Sequence, residues 1–261
     1  MPEATSIDGT PIYYETDGSG DGPPLLLLHP WTSYRQAWRD FGYVERLKRD
    51  HALVLLDARG HGRSGAPHDP AAYAPERFVE DVLAVADELG AERFWFWGYS
   101  MGAAAGFAVA NAATERVIKL VCGGMHPYRA TAGRQQWVGE TVRLLREQGM
   151  EGFVERRERE LGGRLAGGMR DRLLSADAIA LAAAAEGWLH WDGLEGGLDK
   201  LRMPSVLYAG EGDDAFHDLA MRAAEEMPEA DFISLPRLGH DAAFASSRTV
   251  LAALGGHIGT G

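Results

Sequence analysis

Short, nearly unbroken apolar runs recur along the chain at Leu25 to Leu28, Ala52 to Leu56, Phe94 to Trp97, Val117 to Cys122, Val206 to Tyr208 and Phe232 to Leu235. Each has the length of a strand and little of the in-out alternation of a half-exposed one, which predicts strands buried on both faces. Helical patterns lie between them. The clearest opens at Pro75, a residue suited to a first helical turn, and repeats Phe78, Val79, Val82, Leu83, Ala86 and Leu89 on one face before Gly90 ends it. Strand, helix, strand in this rhythm predicts an α/β fold with a mostly parallel central sheet and helices on both faces.

The rhythm breaks after Gly124. From His126 to about Lys200 the pattern is helical only, around Gln135 to Gln148, Gly152 to Leu161 and Ala176 to Leu189, with glycine-rich joints between. The predicted organisation is a core made of residues 1–125 and 201–261, with residues 126–200 inserted as a helical cap and Pro204 marking the chain's return.

Composition narrows the function classes. The 261 residues are 46% hydrophobic and 25% charged, as in folded water-soluble chains and unlike disordered ones. Lysine and arginine number 26 against 38 aspartates and glutamates, a formal charge of −12 that repels phosphate backbones, so no nucleic-acid partner is expected. The longest charged run, Glu155 to Glu160, mixes signs and would pair with itself on a helix face. The single Cys122 sits in an apolar run, which excludes an intrachain disulfide and a cysteine-based zinc cluster and points to a packing role. The first residues, Met1 to Ser6, show no basic or apolar leader, and no run of about eighteen apolar residues occurs, so a cytoplasmic location without a membrane anchor is expected.

Chemistry concentrates at Gly98-Tyr99-Ser100-Met101-Gly102, which directly follows an apolar strand and opens a small-residue helix, Ala103 to Phe107. A serine on a tight strand-to-helix turn needs small residues two before and two after it, and glycine occupies both places. The hydroxyl then stands at a helix N-terminus, where free N–H groups favour developing negative charge. A serine hydroxyl is a weak nucleophile alone, so a base and an orienting acid must follow in the order Ser, Asp, His. Asp213 and its rival Asp214 lie in the loop after Val206 to Tyr208, and His240 lies in the loop after Phe232 to Leu235. Such carboxyl-end loops are where sites assemble in open parallel sheets.

On these residues the chain resembles the α/β-hydrolase fold superfamily, in its serine-nucleophile branch of esterases and lactonases with a helical cap. Further stretches match: Leu25 to Trp31 resembles the family's strand followed by His-Gly-x, Asp57 to Ser64 its Asp-x-Arg-Gly-x-Gly-x-Ser loop, and Gly210 to Asp213 its acid loop. The resemblance implies a catalytic triad of Ser100, Asp213 and His240, an oxyanion hole from the backbone N–H groups of Trp31 and Met101, and a bracing role for His29. Pro30 stands where glycine is usual, and Ala103 where many relatives carry a second glycine.

Gly60 to Gly65 also spells G-x-G-x-x-G, but no helix follows it, so no dinucleotide site is expected. With no Walker loop and no His-Glu-x-x-His pattern, neither cofactor nor metal is expected. Trp137, Trp188 and Trp191 of the cap, with Trp31, either line an apolar pocket or hold the cap to the core. His29, Tyr99, Met125 and His126 complete the candidate pocket wall. The expected activity is hydrolysis of a small to medium apolar carboxylic ester or lactone by a monomer or homodimer. Peracid-forming and acyltransferase relatives share the triad, as does a slow-turnover small-molecule receptor. The carbon–carbon hydrolases among them typically place an asparagine near the oxyanion loop, whereas the only asparagine here is Asn111.

Overall fold

The computed structural model describes residues 2–259; positions 1, 260 and 261 of the expected core lie outside them. In chain order the first half holds β1 (Glu3–Thr5), β2 (Pro11–Asp17), β3 (Leu25–Leu28), α1 (Gln36–Asp40), α2 (Tyr43–Leu47), β4 (Leu53–Leu56), α3 (Pro75–Glu88), β5 (Phe94–Tyr99), α4 (Met101–Ala112) and β6 (Val117–Gly123). Three helices follow without an intervening strand: α5 (Ala132–Leu161), α6 (Gly167–Leu174) and α7 (Ala178–Gly187). The chain then returns through β7 (Ser205–Gly210), α8 (His217–Glu226), β8 (Ala230–Leu235), α9 (His240–Ala245) and α10 (Ser247–Leu254).

The strands form one eight-stranded sheet in the order β1-β2-β4-β3-β5-β6-β7-β8. From β4 to β8 every pairing is parallel, while β2 runs antiparallel to β4 and β1 antiparallel to β2. This antiparallel margin lay outside the apolar-run pattern because β1 is three residues long and β2 ends in Glu-Thr-Asp. At the opposite margin β8 departs from the expected burial on both faces. Among the described residues it pairs only with β7, and Asp231 and Ser234 are exposed; its apolar residues cover one flank of the sheet each, Phe232 and Ile233 on opposite sides.

Two clusters of buried side chains sandwich the sheet. One joins the sheet to α3, α4 and α8 through Phe78, Val82, Phe107 and Ala223. The other joins it to α1, α2, α9 and α10 through Trp38, Tyr43, Phe244 and Val250. A third lies within the inserted helices, where Val142, Leu145, Phe153 and Leu181 are buried together. The two helical stretches expected before Leu161 are both present in α5, joined at Gly149, whose backbone (φ 64°, ψ −159°) is not helical. The helix α6 occupies a segment that the sequence pattern read as a joint. Within the mixed-sign run, Arg157 contacts Glu160 at 3.2 Å but also reaches Asp241 on α9, so the run is partly an interhelical tie. Among the described residues no helix is long and apolar enough to cross a membrane.

The glycine-rich loop after β4 wraps a carboxylate of the chain itself. Asp57 is fully buried and accepts from the Arg35 backbone N–H at 2.8 Å, the Arg35 guanidinium at 2.7 Å and the Arg63 N–H at 2.9 Å. A Cβ at Gly62 would overlap that carboxylate, which is the physical reason for glycine there. Beside it the buried Arg59 grips Asp81 with two hydrogen bonds, of 2.7 and 2.5 Å. A buried charge pair is tolerated only with such paired geometry.

Candidate active site

Ser100 joins β5 to α4 with φ 52° and ψ −116°, a conformation that costs a non-glycine residue roughly 1–3 kcal/mol. The turn is held by bonds at both ends: the Ser100 N–H donates to Gly123 at 2.8 Å, and the Ala104 N–H donates to the Ser100 carbonyl at 2.9 Å. Its sharpness depends on the flanking glycines. A Cβ at Gly98 would overlap the Gly102 carbonyl oxygen, and one at Gly102 would overlap that of Leu28.

The loops after β7 and β8 converge on this turn, tied to each other by the Gly212 N–H donating to the Leu238 carbonyl at 2.9 Å. His240 places Nε2 at 3.0 Å from Ser100 Oγ and Nδ1 at 2.6 Å from Asp213 Oδ2. A carboxylate only accepts, so Nδ1 donates to Asp213 and Nε2 is left to accept from the serine hydroxyl. Asp213 is 4% exposed, whereas Asp214 is exposed and outside this chain of bonds. The His240 ring is steadied by Phe216 at 5.0 Å and Tyr99 at 5.4 Å between ring centres, and the Tyr99 hydroxyl donates to the His240 carbonyl at 2.7 Å.

The loop after β3 presents Trp31 opposite the start of α4. Two buried histidines support it. His29 Nδ1 lies 2.9 Å from the Pro30 carbonyl and its Nε2 accepts from the Ala58 N–H at 3.0 Å. His61 Nδ1 lies 2.9 Å from the Arg59 carbonyl and its Nε2 accepts from the Thr32 N–H at 3.3 Å. Each ring faces one carbonyl and one N–H, so only the neutral form with a proton on Nδ1 satisfies both sides. Burial lowers the pKa of His29 to about 4, and burial together with the neighbouring His29 lowers that of His61 to about 3. The unfolded chain therefore takes up these protons first, and stability is expected to fall as pH drops from about 6.5 towards 4 and below. Urea midpoints at pH 7 and pH 5 test this: His61→Gln should show a shallower loss than the parent, and an equal or steeper loss would contradict it.

A pocket of about 750 Å³, counted with its part open to solvent, leads from Ser100 and Met101 into the inserted helices. It is lined mainly by apolar and aromatic groups, among them Trp31, Met125, Trp137, Trp188, Trp191 and Phe216. The two roles weighed for the tryptophans coincide. Trp31 packs edge-on to Trp137 at 6.0 Å and donates from Nε1 to the Leu181 carbonyl at 3.2 Å, while Trp188 packs on Phe78 of α3 at 5.0 Å. His126 also lines the pocket; burial and the nearby Arg134 bring its pKa to about 4, and its Nδ1 accepts from the Tyr128 N–H at 3.2 Å.

Two pocket expectations need correction. His29 is fully buried beneath the Trp31 loop, and Tyr99 lies in the cluster on the far side of the sheet with Trp38, Trp97 and Phe244. Side chains alternate along β5, so Tyr99 leaves the sheet with Trp95 and Trp97 on the face opposite Phe94 and Phe96. Sequence reasoning missed Arg134 and Ala184, on α5 and α7, and Tyr128 and Phe216, in the segments before α5 and α8, which reach the pocket only through tertiary packing. Arg134 did carry a signal, a cation in the first turn of a helix, where the dipole opposes it. Among the described residues no group of three or more His, Cys, Asp or Glu side chains could hold a metal ion.

Comparison with known proteins agrees with this architecture. The chain is 26% identical over 255 residues, 90% of either chain, to a Bacillus subtilis (strain 168) protein provisionally named 2-succinyl-6-hydroxy-2,4-cyclohexadiene-1-carboxylate synthase. In fold it is similar to a thermophilic esterase from Thermogutta terrifontis (TM-score 0.82, 22% identity, covering 97% of this chain and 95% of that one). It is similar too to the enol-lactonase from Burkholderia xenovorans LB400 (TM-score 0.81, 24% identity, covering 97% and 99%). A family model described as the alpha/beta hydrolase fold matches residues 23–244. That match runs from the strand before Trp31 through His240, so the chain belongs to the alpha/beta hydrolase fold family.

Proposed function

We propose that the protein is a serine hydrolase that cleaves a carboxylic ester or lactone through an acyl-enzyme on Ser100, with residues 126–200 capping the site. The observation that carries this reading is the continuous chain of hydrogen bonds from Asp213 through His240 to Ser100. Ser100 Oγ attacks the substrate carbonyl while His240 Nε2 takes its proton, and Asp213 stabilises the resulting imidazolium. The carbonyl oxygen becomes an oxyanion between the N–H groups of Trp31 and Met101. The Met101 N–H, in the first turn of α4, has no helical acceptor, and Trp31 forms no backbone hydrogen bond through its N–H among the described residues. His240 returns the proton to the leaving alkoxide, which departs as an alcohol. A water, deprotonated in turn by His240, then releases the acid and restores Ser100. For a lactone the alcohol stays tethered and the product is a hydroxy acid.

Fluorophosphonate treatment followed by peptide mass spectrometry tests the nucleophile. One adduct on Ser100 is expected, lost in His240→Ala; labelling that persists in the folded variant would mean that His240 does not activate the serine. Multiple turnover of simple esters separates the enzyme from a receptor of the same fold, for which a single turnover is expected.

A further inference from the structure

Among the described residues that line the pocket, Arg134 alone carries a permanently charged side chain. Its Cζ stands 4.3 Å from the centre of the Trp137 ring and 5.7 Å from that of Phe216, and Phe216 in turn packs 5.0 Å from the His240 ring. The guanidinium is thus held between two aromatic faces, one ring away from the histidine that contacts Ser100. No carboxylate among the described residues pairs with it: Asp213 acts on it only at a distance and is already engaged by His240. His126, the other titratable group in the wall, is neutral at pH 7 and offers no compensating charge.

Helix capping gives no reason for an arginine here. Thr131 caps α5 by accepting from the Arg134 N–H at 3.3 Å, which makes Arg134 the third helical residue. At that position a glutamate or glutamine would reach back to the cap, and the helix dipole disfavours a cation. The first turn of α5 contains no acid to offset it. Burial lowers the guanidinium pKa to about 10, so it remains charged at neutral pH. Stacking on Trp137 and Phe216 offsets part of this cost but uses the faces of the guanidinium, leaving its in-plane N–H donors without a protein partner among the described residues. A fork of donors in the wall of a mainly apolar pocket is complementary to a planar anion.

We propose that Arg134 binds a carboxylate of the substrate, so that the preferred substrate is a carboxylate-bearing ester or lactone. The inference rests on the ester or lactone reading of Ser100 and specifies which members of that class are used. The apolar wall takes the carbon chain or ring between the two ends, and the positive end of α5 adds to the attraction for the anion.

Matched substrates test it: the 4-nitrophenyl monoester of glutaric acid against 4-nitrophenyl pentanoate, and 4-acetoxybenzoate against phenyl acetate. These place the carboxylate on the acyl and the alcohol side in turn. The quantity read is the acid-to-neutral ratio of kcat/KM in the parent, Arg134→Met and Arg134→Lys, with folding of each checked by circular dichroism. The ratio in at least one pair is expected to fall roughly tenfold or more in Arg134→Met, chiefly through KM, and to recover in part in Arg134→Lys. An unchanged ratio in both pairs, with ester turnover intact, would overturn the carboxylate site and leave the hydrolase reading standing. Should the parent cleave no ester, the hydrolase reading fails and binding decides the site separately. Glutarate should then raise the Tm of the parent above an equal ionic strength of sodium chloride and leave Arg134→Met unmoved. An equal rise in both would sink the proposal.

Discussion

Ser100→Ala is expected to lower ester or lactone turnover by roughly 100,000-fold or more, the scale on which loss of the nucleophile acts in serine proteases. The residue removed makes one side-chain hydrogen bond, to His240 Nε2 at 3.0 Å. The backbone bonds that hold the turn come from main-chain atoms and survive. Stability should therefore change by less than about 1 kcal/mol, since a single partly exposed hydrogen bond is worth no more. Ser100→Gly sharpens the test. It is equally inactive, but glycine accepts the φ 52°, ψ −116° conformation without strain, so relief of about 1–3 kcal/mol exceeds the roughly 0.5–1 kcal/mol lost to greater freedom of the unfolded chain. A net gain near 1 kcal/mol in urea unfolding is expected. Near-parental turnover in Ser100→Ala would remove Ser100 from the chemistry, and a less stable Ser100→Gly would show that the turn is not strained.

Gly102→Val is expected to cost about 3 kcal/mol or more, enough to leave much of the protein insoluble or partly unfolded. The added atoms would meet the Leu28 carbonyl oxygen, part of the backbone of β3, and a sheet backbone cannot yield as a side-chain tip can. Moving α4 away would also shift Ser100 and Met101 at its N-terminus, which line the pocket. Gly139→Ala provides the contrast. It lies on the exposed face of α5 with nothing among the described residues within 4 Å of an added Cβ, so a methyl group placed there should stabilise by roughly 0.5–1 kcal/mol. Thermal melts of the two variants beside the parent check both signs. A Gly102→Val protein as stable as the parent would mean that the close approach of α4 to β3 is not required.

The parts of the fold that were legible have short-range causes. The runs Leu25 to Leu28 and Ala52 to Leu56 read as strands because they are unbroken and apolar, and the strands they form, Leu25–Leu28 and Leu53–Leu56, are buried at every residue. The hairpin of β1 and β2 was not legible, since an edge pair needs only one covered face and draws its order from pairing with β4. Similarly, Phe232 to Leu235 looks like a central strand in sequence and becomes an edge strand because among the described residues no further strand pairs beyond it.

The sequence by itself determined the strand-turn-helix around Ser100, because the steric demand is met within five residues, and the placement of Asp213 and His240 in loops that each follow an apolar strand. The local pattern left Asp213 and Asp214 as rivals and the family resemblance implied Asp213; the tertiary structure buries Asp213 against His240 and leaves Asp214 exposed. It also removed His29 and Tyr99 from the pocket and brought in Phe216 and Arg134. Those assignments depend on which face of the sheet or helix a side chain leaves from and on how α5 and α7 lie over the carboxyl ends of the strands. Contacts between segments distant in sequence fix both, and no local pattern encodes them.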